Sequence, residues 1–242
     1  MPQSFYGSQR NYRRRQNIKR ILVIIAAVAV GTGIFALYNG KGGAGRVQKR
    51  HIYEAWQAAD YARVYTLTST ELEKSPVDFF LLATNGFAAY QLAIAQINAE
   101  ETQRYIDACI WSLRKTQLRK EGKNDARVSY VLGKAYYYKG LPFMDLSIEY
   151  LEEARAADYG ASDIDEYLGL CYAALKDYEN SVAAFSRALK PVGNEERLSG
   201  SDIFLLAIAR SYFHLGELSP AKAYSTRALE ISRDYKTVVS AR

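Results

Sequence analysis

The sequence predicts an all-α protein: an α-solenoid of about five stacked helix pairs, preceded by one N-terminal transmembrane helix. Three observations carry this. Residues 21–37, ILVIIAAVAVGTGIFAL, form an uncharged apolar run with basic residues on either side. Residues 39–45, NGKGGAG, form a glycine-rich break. From position 46 onward helical spacing is sustained, and a short signature returns within it. A leucine–glycine pair is followed three residues past the glycine by a tyrosine, as Leu132, Gly133 and Tyr136, and again as Leu168, Gly169 and Tyr172.

Charge divides the chain the same way. The 242 residues carry a formal net charge of +6. Residues 1–20 hold six cations (Arg10, Arg13, Arg14, Arg15, Lys19, Arg20) and no acid, and 39–51 hold four more (Lys41, Arg46, Lys49, Arg50). From position 52 on, 22 basic residues face 26 acidic ones, a net −4. The basic pI thus belongs to the flanks of the apolar run. A nucleic-acid-binding face needs cations clustered on the folded part, so none is expected. The two cysteines, Cys109 and Cys171, are isolated on helical stretches and read as small buried residues rather than a disulfide framework.

Residues 1–20 are polar and basic without apolar periodicity, which predicts a disordered tail. Residues 21–38 are long enough to cross a hydrocarbon core about 30 Å thick and read as a signal-anchor helix. Six cations before the run against four after it place the N-terminus in the cytoplasm. The expected location is the inner membrane, single-pass, with the solenoid periplasmic if the source is bacterial. Lipid is then a partner of this helix. Ala27/Gly31 and Ala29/Gly33 are small-xxx-small pairs that would let two such helices pack. A cleaved signal peptide competes with the anchor: Gly42-Gly43-Ala44 offers a cleavage context, whereas Ile34 before Ala36 does not. Residues 39–45 read as a flexible linker, 46–235 as the solenoid and 236–242 as a C-terminal tail.

Five pairs can be placed after the linker. The first has Ile52, Ala55 and Trp56 on one helix, a turn at Asp60-Tyr61, and Val64 and Leu67 on the next. The second has Gly86 between Leu82 and Tyr90, then a helix bearing Ala108 and Leu113. The third carries Leu132, Gly133 and Tyr136, a turn at Gly140 with two or so extra residues (LPFMD), then Ser147, Leu151 and Ala154. The fourth is YLGLCYAALKDYENSVAAFSRAL, residues 167–189. The fifth has Ile208-Ala209 in place of leucine–glycine, then Tyr212, Gly216, Pro220, Ser225 and Ala228. Gly133 and Gly169 are 36 apart, and the loop 190–200 stretches the next interval to 40.

This pattern resembles the tetratricopeptide repeat (TPR), a 34-residue helix pair with the motif W-x2-L-G-x2-Y, then a small residue and an aromatic. The tryptophan position is Asp165 here. The resemblance implies about five TPR-like pairs, each burying its apolar face on its neighbours. It makes Leu132, Gly133, Tyr136, Leu168, Gly169, Tyr172, Ala188, Tyr212 and Ala228 packing residues between helices. It also implies that the first helix of each pair lines a concave groove that binds protein or peptide partners. On that face lie Phe80, Phe87 and Tyr90, then Arg127, Tyr130, Lys134, Tyr137 and Tyr138, then Asp163, Glu166 and Leu170, then Leu206, Arg210, Phe213 and His214. The candidate partner-binding residues are Tyr130, Lys134, Tyr137, Tyr138, Arg127, Arg210, Phe213, Phe87 and Tyr90. Tyrosines away from the motif suit peptide recognition, because each offers a large rigid surface and a hydroxyl. The competing reading packs them under a neighbouring element.

No catalytic constellation is present. His51 and His214 lack metal-ligand spacing, and no phosphate loop, dinucleotide fingerprint or nucleophile elbow occurs. GKGGAG at 40–45 lacks the preceding strand and the closing GK[ST] of a phosphate loop. The expectation is a non-enzymatic scaffold or adaptor without cofactor or metal, binding proteins at the membrane, in assembly of an envelope complex for secretion or motility. A periplasmic chaperone-like factor and a regulatory subunit of a membrane or cell-wall enzyme remain the alternatives.

Overall fold

The computed structural model describes residues 43–119, 122, 125–192, 195–197 and 202–240. The basic tail and the apolar run 21–38 lie outside them. Among the described residues no helix is long and apolar enough to cross a membrane.

The described residues form ten α-helices in five antiparallel pairs: α1 (Gly43–Gln57) with α2 (Tyr61–Lys74), α3 (Phe79–Ala95) with α4 (Ala99–Thr116), α5 (Ala126–Lys139) with α6 (Met144–Ala156), α7 (Ile164–Ala174) with α8 (Tyr178–Ala188), and α9 (Asp202–His214) with α10 (Leu218–Ser240). Two boundaries differ from the sequence reading. α1 starts at Gly43, inside the stretch expected as linker, and α10 runs through most of the expected tail. The extra residues LPF after Gly140 fold as a 3-10 turn, Leu141–Phe143. The loop 190–200 contains a small antiparallel ladder, Lys190–Val192 with Glu195–Arg197, with Pro191 opposite Glu196.

Helix starts are set by short acidic or amide side chains that accept from otherwise unpaired N–H groups of the first turn. Asp60 accepts from the amide of Arg63, Asp78 from Leu81, Asn98 from Glu100, Asp125 from Arg127 and Asp177 from Asn180. The turn inside a pair is a recurring C-cap. The amides of Asp60, Asp177 and Glu217 donate back to the carbonyls of Ala55, Tyr172 and Tyr212, each at 2.9 Å. The residue before each donor is left-handed: Ala59, Lys176 and Gly216. This is the Schellman arrangement, which turns the chain and satisfies end carbonyls together.

Within a pair the helices meet at a glycine. A β-carbon on Gly86, Gly133 or Gly169 would lie 2.6, 2.6 or 2.7 Å from Leu113, Leu151 or Phe185. Across the same contact a serine of the second helix donates to the glycine carbonyl, Ser147 to Gly133 at 2.7 Å and Ser181 to Gly169 at 2.9 Å. Each serine also touches the following first helix, Ser147 at Cys171 and Ser181 at Ser211. One side chain thereby ties three helices. Leu132, Leu168, Ala188 and Ala228 are buried and Tyr136 stacks on Tyr150 and Phe143, the packing role expected of them. Tyr172 and Tyr212 are half-buried, and Tyr212 stacks on Tyr224.

First helices touch one another along the array, α3 on α5, α5 on α7 and α7 on α9. Second helices meet chiefly the first helices that flank them. The first helices therefore make the inner layer of the solenoid.

Candidate partner-binding site

Lys134 is the centre of the inner layer. It lies one helical turn after Tyr130 on α5, so both project toward α7. Its ammonium donates to Asp163 at 2.7 Å and to the Tyr130 oxygen at 3.0 Å, and the Tyr130 hydroxyl donates to Asp163 at 2.8 Å. Asp163 stands at the N-cap position of α7, yet its side chain makes no capping bond. Its carboxylate is committed to the neighbouring pair instead. Three rings surround the ammonium, with centroids 4.5 Å (Tyr167), 5.0 Å (Tyr130) and 5.8 Å (Tyr90) away. Such contacts gain strength where water is excluded, and only 11% of the Lys134 side chain is exposed.

The tyrosines fill the rest of this joint. The hydroxyls of Tyr138 and Tyr167 are 3.3 Å apart, and Tyr137 meets the Tyr167 ring edge-on at 5.1 Å. Tyr130 packs on Tyr159, and Tyr90 on Tyr138. Burial first, and then the Asp163 carboxylate and its hydrogen bond, hold the Tyr130 phenol far above its ordinary range. Burial and the Tyr138 phenol do the same for Tyr167. Tyr130 keeps its proton and donates it to Asp163. Among the described residues no three His, Cys, Asp or Glu side chains converge as metal ligands would.

The expected groove thus splits. Tyr130, Lys134, Tyr137 and Tyr138 are brought together, but as a joint between the third and fourth pairs rather than an open surface. They pack against a neighbouring element, α7. Phe87 and Tyr90 are each 5% exposed and buried in the core, Tyr90 against Tyr138 of α5. Arg127 is turned to Asp125, whose carboxylate accepts from its Nε at 2.9 Å. Glu166 is buried and Leu170 half-buried. Tyr167, Tyr159 and Asp163 complete the joint, and of these only Asp163 is placed on the inner face by the sequence pattern. A detectable signal did exist: first helices carry opposite charges at neighbouring inner positions, Lys134 against Asp163.

Arg210 and Phe213 behave differently. They lie on α9 with Leu206, and the three make one stripe. Leu206 is 50% and Phe213 62% exposed. Arg210 is exposed, and no carboxylate of the described residues pairs with it. His214, the next residue, instead stacks on Tyr178 at 4.3 Å.

Fold and site together define a helical-repeat solenoid whose inner joints are filled and whose last inner stripe is open. A sequence model of the tetratricopeptide repeat matches residues 168–190 and 204–235. Among solved structures the chain is similar to a crystal structure of MamA, at TM-score 0.56 and 18% identity over 77% of this chain and 96% of that one. It is similar also to MamA AMB-1, at TM-score 0.58 and 19% identity over 77% and 90%, and to MamA MSR-1, at TM-score 0.57 and 18% identity over 77% and 94%. At this level of identity the likeness is one of fold: an all-α solenoid of TPR type. No curated protein sequence matches the chain.

Proposed function

We propose that this protein is a membrane-held scaffold that binds a partner protein through the inner stripe of its last helix pair. The observation that carries the reading is the contrast along the inner layer. Equivalent positions are covered by the next first helix in the second and third pairs and open on α9. A contiguous exposed apolar stripe with a cation at its centre is the kind of surface on which protein partners dock. The apolar run 21–37 and its basic flanks support tethering at a membrane, with the solenoid on the far side from the N-terminus. Assembly of an envelope complex, for secretion or motility, suits that layout. The chaperone-like alternative requires a free tyrosine-lined groove, and those tyrosines are bonded to one another.

The test is photo-crosslinking in intact membranes from a side chain substituted at Phe213, followed by mass spectrometry. One dominant protein adduct, absent when the photoreactive group is placed at Tyr90, is the expected result. A spread of unrelated adducts, or none, would sink the scaffold reading. A reporter fused after Arg242 checks topology, and a cytoplasmic signal would reverse it.

A further inference from the structure

The solenoid itself shows what the α9 stripe is built to accept. Counting 76 residues on from Tyr130, Lys134 and Tyr137 on α5 gives Leu206, Arg210 and Phe213 on α9. The pattern is the same: a cation with a large apolar or aromatic residue one turn to each side. On α5 this triad is covered by the first turns of α7. Asp163 takes the Lys134 ammonium at 2.7 Å, and Tyr167, four residues on, packs against Lys134 and Tyr137. On α3 the corresponding Tyr90 is covered by α5, against Tyr138 and the Lys134 ammonium. In both of these pairs the next first helix covers the inner stripe. Among the described residues no further first helix lies on the α9 stripe, and Leu206 and Phe213 are left exposed. Leu229, on the outer part of the same end, is 57% exposed.

We infer that the Leu206–Arg210–Phe213 stripe docks an α-helix of a partner protein that carries a carboxylate in or just before its first turn and an aromatic or leucine four residues later. The partner helix lies on α9 as α7 lies on α5. Its carboxylate pairs with Arg210, whose planar guanidinium binds a carboxylate in two-point geometry. Its apolar residue fills the space beside Phe213. A second copy of this chain is a poorer fit. Aligning Asp60-Tyr61 with Asp177-Tyr178 sets Arg46 and Arg50 of α1 at the positions of Asp163 and Tyr167. Stacking α1 on α9 would therefore bring cations to Arg210. The inference rests on the scaffold reading above and adds the chemistry of the partner.

The test uses a probe cut from the chain. A fluorescent peptide of residues 160–176, with Cys171→Ser and a hydrocarbon staple on the face away from Asp163 and Tyr167, is titrated against the full chain in mild detergent. Saturable binding is expected. Arg210→Glu on the chain should weaken it about tenfold or more, as should Phe213→Ala, in line with loss of a paired charge or an aromatic anchor. A peptide with Asp163→Lys should reverse the preference and bind the Arg210→Glu chain better than the parent. Both chain positions are exposed, so the variants should fold as the parent does, which circular dichroism checks. Absence of saturable binding overturns the proposal, and so does binding indifferent to Arg210→Glu. Concentration-dependent self-association abolished by either chain variant would also overturn it, because the end would then belong to a second copy. If the peptide fails while the Phe213 crosslink in membranes still captures one protein, the helix chemistry is wrong and the scaffold reading stands.

Discussion

Lys176 and Gly216 occupy the same place in successive turns, immediately before the residue whose amide closes the cap, at φ 65° and φ 80°. Only glycine holds that conformation without crowding its own carbonyl, and another residue loses roughly 1–2 kcal/mol there. Lys176→Gly should therefore stabilise the fold, by about 1 kcal/mol or less once the extra freedom of glycine in the unfolded chain is subtracted. At this chain length that corresponds to a rise in melting temperature of about 2 °C in calorimetry. The converse change, Gly216→Ala, should lower it. No sequence pattern announced this difference, because αL geometry at Lys176 is imposed by the two helices it joins and not by its own residue type. The two cysteines were legible, and the reason is local. Each lies on a buried helical face, and burial lifts both thiols, Cys171 to about 11 despite a hydrogen bond with Ser147 that pulls the other way.

At the scale of the helix pair, the glycine contact is the feature most directly legible in the sequence. Gly133 and Gly169 announce themselves through the leucine before and the tyrosine after, and the structure puts each against a side chain of the partner helix. Gly169→Ala would bring a β-carbon to 2.7 Å from the ring of Phe185, which is fully buried and cannot swing out. Overpacking of this kind should destabilise by about 1–3 kcal/mol. Gly160→Ala, with open space around it, serves as the control and should be near neutral. Denaturant unfolding with an unchanged m-value checks both. A loss at position 169 no larger than at 160 would show that the pair does not depend on this close approach. Pairing between repeats was much less legible. An inner-face aromatic looks the same in sequence whether the next helix covers it, as at Tyr137, or leaves it open, as at the equivalent Phe213. The difference lies further along the chain. Asp163 and Tyr167 stand after the first triad and cover it.

At the scale of the whole array, stability is a sum of pairs and joints, so one dominant joint governs how far unfolding spreads. The Tyr90, Tyr130 and Tyr167 phenols around Lys134 make that joint, and all three are held above their ordinary value of 10.0 by burial first; Asp163 comes next for Tyr130, and neighbouring phenols, ahead of Asp163, for Tyr90 and Tyr167. An acid whose folded pKa is raised keeps its proton in the fold after the unfolded chain has lost it. The unfolded state then binds fewer protons, and stability falls as pH rises. Below the unfolded value the contribution is intact, so melting temperature should be flat from these groups between pH 7 and 9. Above pH 10 each protonated phenol should remove roughly 1.4 kcal/mol per pH unit. Tyr130→Phe should make the alkaline slope shallower by about one proton, while at pH 7 it should destabilise, because Asp163 and Lys134 lose a hydrogen-bonding partner. Melting curves from pH 7 to 11 on parent and variant decide this. An identical alkaline slope in both would mean that the joint opens before its phenols ionise, and that the fourth and fifth pairs separate from the first three as an independent unit.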